Sequence, residues 1–198
     1  MKTDYTKLIK NNFIKERNNY LAYLISLGQF NEFNKIINSA THEKLLIDLK
    51  NWKEFKLTNY FKILPGIYHY PDEYEDGYIP YLSAANTNNG VGQYINLEPD
   101  FKGNCIVTGK IGCTAFYQSN DFCATSDVNI FIPKFLLTPF LGLFITTVIN
   151  FNENYRWAYG RQCRVGNSKK ICIKLPATAD GKPDWEWMEN YIKGLPIQ

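Results

Sequence analysis

The sequence has little of the chemistry that metal centres and thiol catalysis require. Among 198 residues there are two histidines, His42 and His69, and five cysteines. No CxxC pair occurs, and neither histidine has a ligand-like spacing to a cysteine, so the pattern predicts neither a zinc site nor a catalytic Cys/His pair. An odd number of cysteines without a signal-peptide pattern favours reduced thiols and a cytoplasmic protein.

Other signatures of enzymes and membrane proteins are also absent. The sequence has no glycine-rich phosphate loop, no Ser/His/Asp arrangement and no Asn-Pro-Pro-aromatic run of the methyltransferase type. The four carboxylates in residues 72–76 lack the spacing of a calcium loop and are typical of an exposed turn. The longest apolar run, 135–149, is shorter than the ~20 residues of a membrane span. We therefore expect a soluble, non-catalytic protein that needs no cofactor or metal.

Negative charge is missing from one long stretch. The net charge of +3 is mild, but residues 154–179 contain no Asp or Glu. Aromatic residues interleave with the cations of this stretch, which indicates a surface suited to nucleic acid. The basic residues are Arg156, Arg161, Arg164, Lys169, Lys170 and Lys174.

Proline is absent from residues 4–50, where apolar residues recur near helical spacing. This pattern predicts a helical hairpin that turns at Gly28. A further short helix is predicted to start at Thr41 and to continue through Leu45, Leu46 and Leu49. The segment is therefore expected to dock as helices on the rest of the chain or on a partner.

From Trp52 to about residue 133, Gly, Asn and Pro separate short β-prone runs, which predicts a β-rich region. A buried helix over 139–149 follows, capped by Thr138 with Pro139 at its first position. The segment "KICIKLP" then returns to a strand.

The stretch "DGKPDWEWMENYIKGLP", 180–196, begins a helix for which Asp184 is the predicted cap. Four apolar residues follow at intervals of three, four and three, which is the spacing of a helix that packs against another helix. Either a second copy or a partner covers this stripe, or the stripe folds back on its own domain. The four residues are Trp185, Met188, Ile192 and Leu195.

The ordered motifs from Trp52 to Leu195 resemble the target recognition domain of the specificity (S) subunits of type I restriction-modification systems and of their BcgI-like type II relatives. The resemblance covers about three quarters of the chain. The stretches that carry it are "WKEFKLTNYFKILPG", "IPYLSAANTNNGVGQYI", "CIVTGKIGCTAFYQ", "FCATSDVNIF", "WAYGRQ" and "ICIKLPATADGKPDWEWMENYIKGL".

Together, the sequence patterns and the resemblance predict an α+β fold with a helical N-terminal segment (1–50), a β-rich target recognition domain (51–183) and a short spacer-type helix (184–198). It implies a specificity module that binds double-stranded DNA and directs a methyltransferase subunit and, in restriction-competent systems, a nuclease. The last helix is short where family members continue, which leaves open both a half-subunit that pairs with a second copy and a truncated gene product. The alternative is a partial S subunit that acts through protein contacts as a regulator or competitor.

The chemistry of DNA reading requires cations for phosphates and planar donors for base edges, and three loops offer them. The first contains asparagines that suit either adenine contacts or a simple Asn-Gly turn. The second places a lysine among glycines, as either a phosphate contact or a solvated hairpin residue, with a glutamine after the next strand. The third is "YRWAYGRQCRVGNSKK", whose aromatics suit packing as well as stacking and whose last two lysines also suit an ordinary solvated loop. The candidates are Asn86, Asn88, Asn89, Lys110, Gln118, Arg156, Tyr159, Arg161, Gln162, Arg164, Lys169 and Lys170.

Overall fold

The computed structural model describes residues 5–41 and 45–196 and has the predicted α+β architecture. Helices and strands follow in this order: α1 (Tyr5–Ser26), α2 (Phe30–Asn38), β1 (Trp52–Lys56), α3 (Leu57–Tyr60), β2 (Phe61–Pro65), β3 (Asp76–Leu82), β4 (Val91–Ile95), β5 (Cys105–Gly109), β6 (Ala115–Gln118), β7 (Cys123–Ala124), β8 (Val128–Pro133), α4 (Pro139–Glu153), α5 (Val165–Ser168), β9 (Cys172–Pro176) and α6 (Trp185–Lys193).

The strands form three small sheets. The largest is antiparallel with the order β2-β8-β5-β6, and a second joins β3 to β4 antiparallel and to β7 parallel. The third pairs β1 with β9 antiparallel, so that Trp52 lies opposite Pro176. This last pairing brings the first strand and the last strand of the chain side by side. Helix α6 follows β9 in the sequence.

Helix α4 is the centre of the core. Thr138 Oγ1 accepts a hydrogen bond from the Leu141 N–H at 3.3 Å, and Pro139 occupies the first turn, so the predicted helix start is confirmed. Its residues 140–149 are all buried, as expected for a largely apolar helical segment, and α4 packs on β6, α1 and α6. Phe144 is fully buried among aromatic rings at its middle. Within the described residues, no helix is long and apolar enough to cross a membrane.

The N-terminal helices form the predicted hairpin, which turns at Gly28 with a left-handed φ of 66°. The short helix expected from Thr41 is only partly testable, because residues 42–44 lie outside the described residues. That expectation is wrong for Leu45 and Leu46, which lie outside any helix, and Leu49–Asn51 forms a single 3-10 turn. Asp48 supplies this turn with a local cap by accepting from the Lys50 N–H at 3.0 Å.

Helix α6 starts as the sequence predicts, since Asp184 Oδ1 accepts from the Trp187 N–H at 3.0 Å. Its apolar stripe, however, is covered within the chain. Met188 and Ile192 are almost fully buried in the common core, as is Leu195 beyond the helix. The expectation that a second copy or a partner covers the stripe is wrong for these three residues.

Helix α6 packs on α4, and the N-terminal helix adds contacts, so α6 needs no outside cover. Phe13 of α1 lies edge-on to Tyr191 with ring centres 5.2 Å apart. Arg17, which is buried, donates to the carbonyl oxygens of Leu195 at 2.9 Å and of Pro196, where the backbone after α6 would otherwise lack partners. Trp185, the remaining residue of the stripe, stacks on Phe135 at 4.4 Å and lies edge-on to Tyr60 of α3 with ring centres 5.5 Å apart.

Candidate nucleic-acid interface

Three loops that are distant in sequence meet in the structure. We call residues 84–90, 109–114 and 154–170 together the three-loop surface. The first loop is joined to the second by the Thr114 hydroxyl, which donates to Asn86 Oδ1 at 2.7 Å. The second is joined to the third by the Cys163 N–H, which donates to the Lys110 carbonyl at 2.8 Å. The structure therefore brings together the three segments that the sequence marks as DNA-contact candidates.

The first loop depends on an unusual backbone. Asn88, Asn89 and Gly90 have consecutive left-handed φ angles of 51°, 52° and 80°. Asparagine tolerates this region better than most residues, and glycine adopts it without strain. The loop exposes the side chains of Asn86 and Asn88 but turns Asn89 inward.

Asn89 and Gln118 form a buried amide pair. Asn89 Nδ2 donates to the Tyr117 carbonyl at 3.0 Å and to Gln118 Oε1 at 3.2 Å, and Gln118 Nε2 donates to the Asn89 carbonyl at 2.8 Å. The two residues are 8% and 3% exposed. Their amides hold the first loop on β6 and are not presented at the surface, so we leave both out of the contact set proposed below.

Replacing Asn89 with alanine is expected to lower the free energy of unfolding by about 1–3 kcal/mol, because Gln118 Oε1 and the Tyr117 carbonyl lose a donor inside the protein. Urea denaturation measures this. Asn88→Ala is the matched control, since Asn88 has the same left-handed φ but an exposed side chain. Equal losses in the two variants would show that backbone strain, and not the buried amide pair, determines the effect.

Lys110 in the second loop is partly neutralised and partly covered. Its side chain is 17% exposed, and its Nζ lies 3.8 Å from Asp127 Oδ1. Gly109 allows the loop to pack closely on the first one, because a Cβ at this position would lie 3.1 Å from the Cα of Ala84. The second loop thus presents less positive charge than its sequence suggests, and its main role is to join its neighbours.

The third loop begins at a buried carboxylate. Glu153, at the end of α4, is fully buried and accepts from Arg156 Nη1 at 2.9 Å and from Trp157 Nε1 at 2.8 Å. The hydrogen bond to Glu153 raises the pKa of the Arg156 guanidinium. The guanidinium of Arg161 lies 5.3 Å from the centre of the Trp157 ring, a cation–π distance. Glu153 thereby orients Trp157, and Trp157 in turn orients Arg161.

A second buried polar residue anchors the far part of the same loop. Asn129 of β8 is fully buried, and its Nδ2 donates to the Cys163 carbonyl at 2.7 Å and to Ser168 Oγ at 2.9 Å. Contact with the Cys163 thiol and burial raise the pKa of the Cys113 thiol, so Cys113 is not a reactive thiolate.

The sequence analysis did not identify Glu153 or Asn129, although each stands out in the sequence. Glu153 is the last carboxylate before the stretch without acidic residues. Asn129 is the single polar residue within the apolar run "VNIFIP". A polar residue in an apolar strand or helix has to find a hydrogen-bond partner when it is buried.

The outward groups of the third loop are cations and aromatics. Tyr155 and Tyr159 are both 81% exposed, so Tyr159 is not a packing residue, whereas Trp157 is half-buried. Gln162 is half-buried and its Oε1 accepts from Arg164 Nε at 3.3 Å. Such a surface can bind phosphates, hydrogen-bond base edges and stack on bases. The exposed cations are Arg156, Arg161, Arg164, Lys169 and Lys170.

Comparisons with known proteins identify the family and the fold of the chain. The family model for the type I restriction modification DNA specificity domain matches residues 49–197. A curated relative from Heyndrickxia coagulans, described as the specificity subunit S.BcgI of a type II restriction enzyme, is 27% identical over 179 residues. That alignment covers 88% of this chain and 52% of the relative, so the chain spans about half the length of the curated relative it matches.

Solved structures show the same fold. The S subunit of a type I restriction-modification system from M. genitalium has a TM-score of 0.55 at 14% identity, and the match covers 95% of this chain and 49% of that one. The HsdS subunit from Thermoanaerobacter tengcongensis has a TM-score of 0.54 at 10% identity, with 96% of this chain and 48% of that one covered. Since the family model covers most of the chain, the chain belongs to the type I restriction modification DNA specificity domain family.

Proposed function

We propose that this chain binds double-stranded DNA through the three-loop surface and supplies sequence choice to a methyltransferase subunit, without catalysing a reaction itself. The observation that carries the proposal is the convergence of three separate loops into one surface that presents exposed arginines, lysines and amides. The third of these loops contains no carboxylate. A protein that acts only through protein contacts has no need for such a surface, whereas a DNA reader needs both its cations and its planar donors.

The exposure of each residue suggests its role. Arg161 and Arg164 have the planar guanidinium that matches a guanine edge or a phosphate in two hydrogen bonds, and we assign base reading to them. Lys169 and Lys170, at the end of α5, suit phosphates. We assign the other accessible candidates to supporting contacts: Asn86, Asn88, Lys110, Arg156, Tyr159 and Gln162.

We further propose the domain division 1–50, 51–183 and 184–198 and a methyltransferase subunit as partner. Pairing of β1 with β9 closes the middle unit and supports this division. The relative S.BcgI is named a specificity subunit of a restriction enzyme, which supports a partner that carries the chemistry. Because Met188, Ile192 and Leu195 are already buried within the chain, where α6 packs on α4, docking of the partner does not require that stripe to open.

A salt titration of DNA binding tests the proposal. Fluorescence anisotropy with a random-sequence duplex should give an affinity that falls as salt rises, with a slope of the logarithms of about −0.9 for each phosphate contacted. The measurement is repeated with a methyltransferase subunit present. An affinity that does not depend on salt in either condition would overturn DNA binding and would favour the alternative regulator that acts through protein contacts.

Replacing Lys169 and Lys170 together with alanine is expected to weaken binding about equally for all duplex sequences and to reduce the salt slope by about 2, because phosphate contacts carry no sequence information. Lys182→Ala is the matched control, since Lys182 is an exposed lysine beyond the opposite end of β9 that pairs with Asp180. If the control changed the slope as much as the double variant, the phosphate contacts would lie elsewhere.

A further inference from the structure

A cluster of metal-binding side chains lies outside the three-loop surface, where two loops meet the small sheet of β3, β4 and β7. One donor atom each from His69, Asp100 and Cys123 lies within 4.8 Å of the other two. His69 Nε2 is 2.8 Å from Asp100 Oδ2, and Cys123 is fully buried, while the His69 and Asp100 side chains are 19% and 15% exposed. Because 31 residues separate His69 from Asp100 and 23 more precede Cys123, no sequence spacing could reveal the cluster.

The backbone holds these three residues in place. Phe101 and Phe122 exchange two hydrogen bonds of 3.0 Å in an antiparallel bridge, which sets the preceding Asp100 opposite the following Cys123. Cys123 lies beside Tyr81 in the parallel pairing of β3 with β7. The Tyr81 hydroxyl accepts from the His69 N–H at 3.0 Å, which fixes the histidine on the same sheet.

We propose that His69, Asp100 and Cys123 bind a zinc ion, with a backbone carbonyl or a water molecule as the fourth ligand. Sulfur, imidazole nitrogen and carboxylate oxygen are the three donor types that zinc prefers in proteins, and tetrahedral coordination separates ligand atoms by about 3.5 Å. The donors need shifts of about 1 Å to reach this geometry. The Glu98 carbonyl, 3.4 Å from Cys123 Sγ, is a candidate for the fourth position.

The residues around the three donors also support a metal site. Glu73 Oε2 lies 3.8 Å from His69 Nδ1, the ring nitrogen that faces away from the cluster. Glu73 is itself held in place, since its Oε2 accepts from the Tyr70 N–H at 2.8 Å. A carboxylate behind a histidine ligand orients the ring and strengthens metal binding. The sequence predicts residues 72–76 to be an exposed acidic turn. One carboxylate of this turn, that of Glu73, has His69 as its partner.

The site has a structural consequence for the first loop of the three-loop surface. Strand β3 ends at Leu82, immediately before residues 84–90, and its pairing with β7 begins at Tyr81 and Cys123. A zinc ion at Cys123 would therefore tie the 69 and 100 segments to the strand that carries the loop. It would serve the stability of this sheet rather than catalysis.

Titration of the chelator-treated full chain with Co²⁺ tests the site. We expect one equivalent to produce a thiolate-to-cobalt absorption band that Zn²⁺ abolishes by displacement. The band should disappear in Cys123→Ser and in His69→Ala, and it should persist in Cys172→Ser and His42→Ala, which remove the same residue types elsewhere in the chain. Absence of the band in the unmodified chain, or its persistence in both ligand variants, would overturn the proposal.

Two further readouts guard against a variant that does not fold. Zn²⁺ at a hundredfold excess over its Kd should raise the Tm of the unmodified chain by about 5–10 °C and should leave the Tm of Asp100→Asn unchanged. Glu73→Gln, at a half-exposed position, should keep the band and weaken Zn²⁺ binding by about 10–100-fold. Equal Tm shifts in the unmodified chain and in Asp100→Asn would count against the site.

Discussion

Replacing Phe144 with alanine is expected to lower the free energy of unfolding by about 3–5 kcal/mol, the range for the loss of a fully buried phenylalanine. Phe144 is 0% exposed and lies in α4 between the N-terminal helix and the last helix. Its ring centre is 4.6 Å from that of Phe13, 6.2 Å from that of Trp187 and 6.1 Å from that of Tyr191. Alanine would leave these rings around an empty volume. Chemical denaturation followed by tryptophan fluorescence measures the loss.

Phe151→Ala is the matched control for this prediction. Phe151 is on the same helix but is 42% exposed, so we expect a loss below about 1 kcal/mol. Similar losses at both positions would show that burial of the Phe144 ring between α1 and α6 does not determine the effect. Hydrogen exchange adds a spatial test, because the Phe144 variant should lose protection in α1 and α6 before it loses protection in β5 and β8.

Much of the β-rich region could be predicted from local sequence. The Asn-Gly pair of "NTNNGVG" indicates a turn between two apolar segments, and β3 and β4 do pair across it, with Tyr81 opposite Gln93. The glycines of "TGKIG" likewise predict the β5–β6 pairing, in which Thr108 faces Ala115. The α4 start at Thr138 and the α6 start at Asp184 follow from side chains that bond to the backbone within their own first turns.

The parts that could not be predicted depend on contacts between distant segments. The spacing of the α6 stripe shows that Met188 and Ile192 are buried but not that α1, about 170 residues earlier, takes part in covering them. Asn88 and Asn89 are equally suited to the left-handed backbone of this turn. Only the packing of the loop on β6 turns the Asn89 side chain inward. The proximity of His69 to Cys123 could not be predicted for the same reason. The strands of the small sheet and their loops have to assemble before these two metal-binding side chains meet.

Replacing Arg161 with alanine is expected to weaken binding to the cognate DNA sequence by about 5–150-fold, which corresponds to about 1–3 kcal/mol, and to relax the preference for one base pair. The arginine lies over the Trp157 ring, which the buried Glu153 orients, so its guanidinium is positioned before DNA binds. The double variant with Arg164→Ala should lose more than either single variant. Binding to a library of duplex sequences and the methylation pattern obtained with the methyltransferase subunit both report the change.

Arg161→Lys separates base reading from simple charge. Lysine keeps the positive charge but cannot make the paired hydrogen bonds of a guanidinium, so a base-reading position should lose specificity in the lysine variant nearly as much as in the alanine variant. A phosphate contact, in contrast, should retain most of its affinity with lysine, because the charge is the main contribution there. If Arg161→Ala and Arg164→Ala both left binding and the methylation pattern unchanged, the reading surface would lie elsewhere on the chain, even with salt-dependent DNA binding intact.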